Sequence, residues 1–218
     1  MIRSRVTSIV IENQYLTAHS IVNALAQRLK EENGPEVVII LPEKAGGWLE
    51  KRTMGILQDL AIKRIMAADD HNRLRIYFPF DRKRAHLKLG MTVHSKLMII
   101  DDRFFCIGSA NLNNRSMGYD TECQITIDAT HDGANRQTIA DATAYVLAHH
   151  CEIGNQALKE LIAVQGSILD PLDRLCDPER NRYLAKFQIH NETDHLKLED
   201  MNWLDMEKPS PIEMAMDH

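Results

Sequence analysis

His94 and Lys96 stand two residues apart in Thr92-Val93-His94-Ser95-Lys96-Leu97-Met98-Ile99-Ile100, and Ser109 and Asn111 repeat that spacing after Phe104-Phe105-Cys106-Ile107-Gly108. An imidazole can carry a proton near neutral pH or attack an electrophilic centre. An ammonium offers a point positive charge to an anionic oxygen, and hydroxyl and amide groups hold further oxygens by hydrogen bonds. Facing one another, these four side chains would make a site for a tetrahedral oxyanion.

The elements around them must bring that about. Side chains alternate along a strand, so an extended chain puts His94 and Lys96 on one face. The apolar residues around them predict a buried strand, interrupted by Asp101-Asp102. A two-residue turn there would pair Ile100 with Arg103, Lys96 with Ile107 and His94 with Ser109. In that register Ser109 and Asn111 join His94 and Lys96 on one face, and a slip of one residue would move them to the other. Asp101 falls at the turn, roughly 15 Å from Lys96 at strand rise, and is assigned to turn capping or a structural ion pair.

His94-x-Lys96-x4-Asp101, followed by Gly108-Ser109-Ala110-Asn111, Leu112-Asn113-Asn114-Arg115-Ser116 and Asp120-Thr121-Glu122, resembles the HKD motif of the phospholipase D superfamily. The resemblance implies phosphodiester exchange through a phosphohistidine, without metal or cofactor. His94 and Lys96 are then catalytic, and Lys96, Ser109 and Asn111 hold the phosphoryl oxygens. Glu122 follows the motif where the superfamily places an acid that orients the histidine. It sits in a predicted strand, residues 121–127, with one apolar and one polar face. Ile9-Val10-Ile11-Glu12-Asn13-Gln14-Tyr15 is similar to the block before the second motif of two-motif phospholipases D, which places Asn13 and Gln14 near substrate.

The rest of the chain supplies the frame. Residues 6–11 and 37–41 read as strands around a helix with Ile21, Val22, Leu25 and Leu29 at helical spacing, a βαβ unit with parallel strands and Thr17 as N-cap. The loop after the first strand then faces the ligand crevice, again near Asn13 and Gln14. A helix over 51–68, a strand over 74–78 stopped by Pro79, and helices over 134–150 and 156–164 follow. The expected fold is α/β, a mixed sheet flanked by helices on both faces with a helical C-terminal extension. The expected division is a catalytic half-domain over 1–130, helical elements over 131–189 and an acidic tail over 190–218.

Composition narrows the classes. The 218 residues carry a net charge of −5, but the tail from His190 holds eight acids against Lys197 and Lys208, which leaves the body near +1. That balance admits an anionic substrate and gives no charge argument for nucleic acid. Arg82, Lys83, Arg84, His86 and Lys88 form a basic cluster suited to a solvated loop or to phosphate headgroups. Trp48 reads as a packed or headgroup-facing aromatic, and Trp203 and Leu204 could dock the tail. No apolar run reaches the roughly 20 residues of a membrane span, so a cytoplasmic or peripheral membrane location is expected. Cys106 and Cys123 fall in predicted strands and are expected as buried free thiols. His149-His150-Cys151 has ligand types, but neighbours on a helix point about 100° apart, so no metal site is assigned.

One histidine cannot serve both ends of an in-line displacement, and the sequence holds one HKD motif. The expected partner is a second HKD half, upstream in the same polypeptide or on a homodimer mate. The favoured reading is the C-terminal half of a phospholipase D-type phosphodiesterase or phosphatidyltransferase, with a phospholipid substrate and His94 as general acid and base at the alcohol. The alternatives are a homodimeric single-motif nuclease-like phosphodiesterase and a non-catalytic binding or regulatory module.

Overall fold

The computed structural model describes residues 6–43, 48–87, 91–189, 196–198 and 205–206. Two short β-branched runs, β1 (Ser8–Glu12) and β2 (Glu36–Ile40), and a longer strand rich in aromatic residues, β3 (Leu74–Asp81), form its parallel centre. Helices α1 (His19–Lys30) and α2 (Trp48–Met66) make the crossovers between them, and a short α3 (Asn114–Gly118) comes later in the chain. β4 (Leu97–Ile100), β5 (Phe104–Gly108) and β6 (Gln124–Asp128) add antiparallel strands on one side, and β7 (Arg182–Lys186) adds one on the other. The sheet is mixed and seven-stranded, in the order β6-β5-β4-β1-β2-β3-β7.

Alternation in the central strands divides two cores. Ile9, Ile11, Val37 and Ile39 pack beneath α1 and α2 through Val22, Leu25, Leu57 and Ile65. Val10, Val38, Ile40 and Ile99 face the other layer, built by α4 (Gly133–Cys151), α5 (Asn155–Gln165) and α6 (Leu169–Leu175). The α/β fold with helices on both faces is therefore the observed one. β7 is an addition: the expected helical piece between 131 and 189 contains a strand that pairs with β3, and β3 runs through Pro79 instead of stopping there.

Thr17 is not the N-cap of α1. Ala18 takes that position, the His19 N–H donates to Asn114 Oδ1 (2.9 Å), and the Thr17 hydroxyl donates to Asp205 Oδ2 (2.6 Å). The acidic C-terminal stretch is thus anchored at two described points, Asp205 and the buried Leu198. Cys106 and Cys123 are free thiols, but Cys106 is half-buried and Cys123 is exposed just before β6. Arg82, Lys83 and Arg84 are exposed in a short 3-10 turn, Arg82–Leu87. The side chains of Trp48 and His86, and residues Lys88, Trp203 and Leu204, lie outside what is described. No helix among the described residues is long and apolar enough to cross a membrane.

Candidate active site

The hairpin register differs from the expected one by a residue. Ile100 pairs with Phe104 and Leu97 with Ile107, so the connection has three residues, Asp101, Asp102 and Arg103. Asp101 causes this. Its φ of 52° is left-handed, a conformation aspartate tolerates better than most residues. Its carboxylate accepts from Thr7 N (2.8 Å), Thr7 Oγ1 (2.7 Å) and Ser8 N (2.8 Å), and pairs with Arg103 (2.8 Å). Asp102 bonds Arg136 on α4 at 2.8 Å. The turn is pinned to β1 and α4 before β5 begins, at the end of the hairpin opposite His94, Lys96 and Ser109.

A slipped register would have scattered the four polar side chains had the strands continued. They do not. Residues 91–96 are irregular, β4 starts at Leu97 and β5 ends at Gly108, so side-chain bonds set the directions instead. Lys96 is 8% exposed, and its ammonium donates to Gln14 Oε1 (3.1 Å) and the His94 carbonyl (2.8 Å). Burial lowers its pKa from the usual lysine value, while the nearby Glu122 charge works against that shift. Among the described residues no carboxylate is in salt-bridge contact with it. An ammonium so placed can take an anion.

Ser109 leaves the β5 ladder and takes up β6. Its N–H donates to the Cys123 carbonyl (3.0 Å), its hydroxyl oxygen accepts from Cys123 N (3.0 Å), and the hydroxyl donates to Glu122 Oε2 (2.5 Å). Glu122 therefore bonds Ser109 and not the His94 ring, and β6 begins only at Gln124, exposed on both faces. Asn111 has a buried carbonyl oxygen with no partner. A half-turn of its amide would exchange that acceptor for a donor. Of the two amides in the first loop, Gln14 reaches the cluster. Asn13 does not: it is 2% exposed, and its oxygen accepts from Tyr15 N and Leu112 N, both at 3.2 Å. Its work is to tie the end of β1 to the segment after Asn111.

His94 is exposed and lines a cavity of about 400 Å³ with Glu12, Ser95, Thr92, His149 and His150. Glu12 and His150 were not singled out as a pair by sequence. Glu12 Oε2 meets His150 Nε2 at 2.7 Å, and Glu12 Oε1 accepts from the Ser95 hydroxyl. Burial alone would raise the Glu12 carboxyl, but these bonds outweigh it and hold its pKa below the ordinary value. Ser95 lies between His94 and Lys96, so the bond fixes their segment to β1 and α4. The partners stand 138 residues apart, and no spacing rule reaches across that separation. His149 and Cys151 do not join His150 at a common centre. The His149 and His150 rings stand edge to face at 5.5 Å, and Cys151 is buried with its thiol pKa pushed up to about 12.

With this geometry in hand, residues 1–144 match the protein family described as cardiolipin synthase, PLD-like domain. The chain belongs to this phospholipase D-like phosphodiesterase family. It is 29% identical over 120 residues to phospholipase D1 of Cricetulus griseus, which covers 52% of this chain and 11% of that protein. It is 66% identical over 45 residues to phospholipase D alpha 3 of Arabidopsis thaliana, covering 20% of this chain and 6% of that one. The matched segments are thus a small part of these relatives' length. NucT from Helicobacter pylori superimposes with a TM-score of 0.44 at 21% identity, covering 65% of this chain and 77% of that one.

Proposed function

We propose that this chain is one catalytic half of a phospholipase D-type enzyme that cleaves or exchanges phospholipid phosphodiesters. His94 moves the proton of the leaving and incoming alcohol, and a second HKD half supplies the histidine that attacks phosphorus. Lys96, Ser109 and Asn111 hold the phosphoryl oxygens. Glu122, bonded to Ser109 in the free chain, sets the local charge and turns to the His94 ring when that ring becomes an imidazolium. Lys96 carries the reading: a lysine 8% exposed, whose ammonium bonds the neutral oxygens of Gln14 and His94 and no carboxylate among the described residues, leaves its charge for an anion.

A partner half is favoured by a second observation. Ile107 and Ile125 pair on neighbouring strands beside Ser109 and Glu122, and are 42% and 63% exposed, with Ile127 next along β6 at 40%. An apolar strip at the rim of a polar site suits a surface that another domain covers.

The test is an assay of the full chain, alone and co-expressed with the upstream half if the parent gene encodes one. Phosphatidyl substrates and DNA are offered in chelator-treated buffer, with added alcohol to detect transfer and His94→Ala as control. Headgroup release or phosphatidyl transfer that depends on His94 and on the second half is the expected result. Cleavage of DNA by a homodimer would replace the lipid reading, and inactivity towards both in every combination would end it.

A further inference from the structure

Ser109 is assigned to a phosphoryl oxygen, yet its hydroxyl is already spent. A serine hydroxyl has one proton to donate. That proton goes to Glu122 Oε2 at 2.5 Å, a short bond of the charge-assisted kind. The Cys123 carbonyl, an alternative acceptor, stands at 3.5 Å. The hydroxyl is also held in place, because its oxygen accepts from Cys123 N at 3.0 Å while Ser109 N donates to the Cys123 carbonyl at 3.0 Å. A phosphoryl oxygen can take this proton only after the carboxylate has left it.

Glu122 is held at one point. It precedes β6, is partly exposed, and among the described residues the Ser109 hydroxyl is the group bonded to its carboxylate. Its charge also reaches Lys96, where it opposes the effect of burial on the ammonium. Glu122 thus bonds one of the assigned phosphate donors and acts electrostatically on another, as a docked anion would. Lys96 meanwhile bonds Gln14 Oε1 and the His94 carbonyl, both neutral, so its charge is left for whichever anion arrives.

We propose that Glu122 is an internal competitor for the anion: in the free chain it covers the Ser109 end of the phosphate site, and phosphate enters by displacing it. This role rests on the proposed phosphodiester function and adds a restraint to it. The Ser109 proton stays on its oxygen throughout and only changes acceptor, from a carboxylate oxygen to a phosphoryl oxygen. The lost partner of Lys96 is replaced by the incoming charge.

Simple repulsion between Glu122 and phosphate would act with or without the Ser109 hydroxyl, whereas competition for its proton needs that hydroxyl. Phosphate titrations of the full chain near neutral pH, followed by amide NMR, separate the two in a double-mutant cycle of Glu122→Gln and Ser109→Ala. Gln keeps the size and offers only a neutral acceptor, so Glu122→Gln should bind inorganic phosphate about fivefold or more tightly than the wild type. In the Ser109→Ala background the same change should gain less than about twofold. The Glu122 carboxyl-carbon resonance reads the displacement directly, and saturating phosphate and Ser109→Ala should each move it in the same direction. Equal gains in both backgrounds, no gain in either, or a carboxyl resonance indifferent to bound phosphate overturns the competition. In all three cases phosphate still binds, and the phosphodiester function stands. A chain that binds phosphate in none of these forms removes that function and the competition with it.

Discussion

Replacing Lys96 by Met separates what the buried ammonium does for the fold from what it does for an anion. Methionine has similar length and volume, so the packing around an 8% exposed side chain changes little. Taking an ammonium out of water costs several kcal/mol even after relaxation. Against this stand two bonds to neutral oxygens, Gln14 Oε1 at 3.1 Å and the His94 carbonyl at 2.8 Å. A hydrogen bond from a charged donor contributes about 1.5–3 kcal/mol, and an acceptor left bare costs about 1 kcal/mol. These terms nearly cancel, with desolvation slightly larger. Lys96→Met should therefore leave stability unchanged or raise it by about 1 kcal/mol.

Anion binding should collapse in the same variant, since one positioned donor at a developing oxyanion is worth about 3–4 kcal/mol. Urea unfolding with and without saturating phosphate measures both effects. Phosphate at about a hundred times its Kd should stabilise the wild type by about 2.7 kcal/mol, and should leave Lys96→Met where it was. The pH dependence has a definite sign. Burial holds the folded lysine below its ordinary 10.5, so the unfolded chain keeps its proton longer. Wild-type stability then rises with pH in the window just below 10.5, and any advantage of Met shrinks there. A loss of more than about 2 kcal/mol in Lys96→Met, with phosphate stabilisation intact, would show that the lysine is a brace and refute the reasoning.

Glu122→Gln removes the negative charge that supports the Lys96 ammonium, so the lysine pKa should fall further and phosphate binding should be lost at lower pH than in the wild type, as titrations across the alkaline range will show. Asp205→Ala strips the acceptor from Thr17 Oγ1 (2.6 Å), Asn114 N (2.9 Å) and Arg115 N (3.1 Å), and should cost about 2–3 kcal/mol in urea unfolding; a loss under 0.5 kcal/mol would mean the C-terminal stretch does not brace this region. Acid should destabilise the fold through Glu12 and Asp173. Burial raises both carboxyls, but His150 and Ser95 on one and Arg75 and Tyr77 on the other outweigh it and depress them. Their contribution is complete above the unfolded values near 4.5 and 3.8 and is lost as pH falls through the folded ones, so Glu12→Gln should flatten the acid limb of a stability–pH curve.

The sheet centre was legible because its signals are local. Residues 6–11 and 37–41 are β-branched runs joined by an amphipathic helix, and each strand has two buried faces, so period and length suffice. The hairpin was legible in position but not in register. Asp101-Asp102 reads as a two-residue turn, and the third residue follows from Asp101 bonding Thr7 and Ser8 some ninety positions away. β7 escaped because Arg182-Tyr183-Leu184-Ala185-Lys186 lacks alternation and becomes a strand by pairing with β3. Likewise His150 reads as one of two histidines at a helix end, and nothing nearby in sequence predicts its bond to Glu12.

The one-residue difference in register does not set where the candidate residues point, and the reason is physical. His94, Lys96, Ser109, Gln14 and Glu122 all lie just beyond strand ends, where the ladder no longer dictates which way a side chain points. Direction there comes from polar ties: Asn13 to Leu112 and Asp205 to Asn114, both buried, Glu12 to Ser95, partly buried, and Ser109 to Cys123, exposed. Each tie joins a loop to a strand end or to another loop, and the shielded ones are the costliest to break. A site assembled this way tolerates a one-residue slip in the distant turn, because the slip is absorbed between Ile100 and Phe104. It should not tolerate loss of the ties, so Glu12→Ala is expected to disorder Ser95 and its two neighbours even while β1 and β4 stay paired.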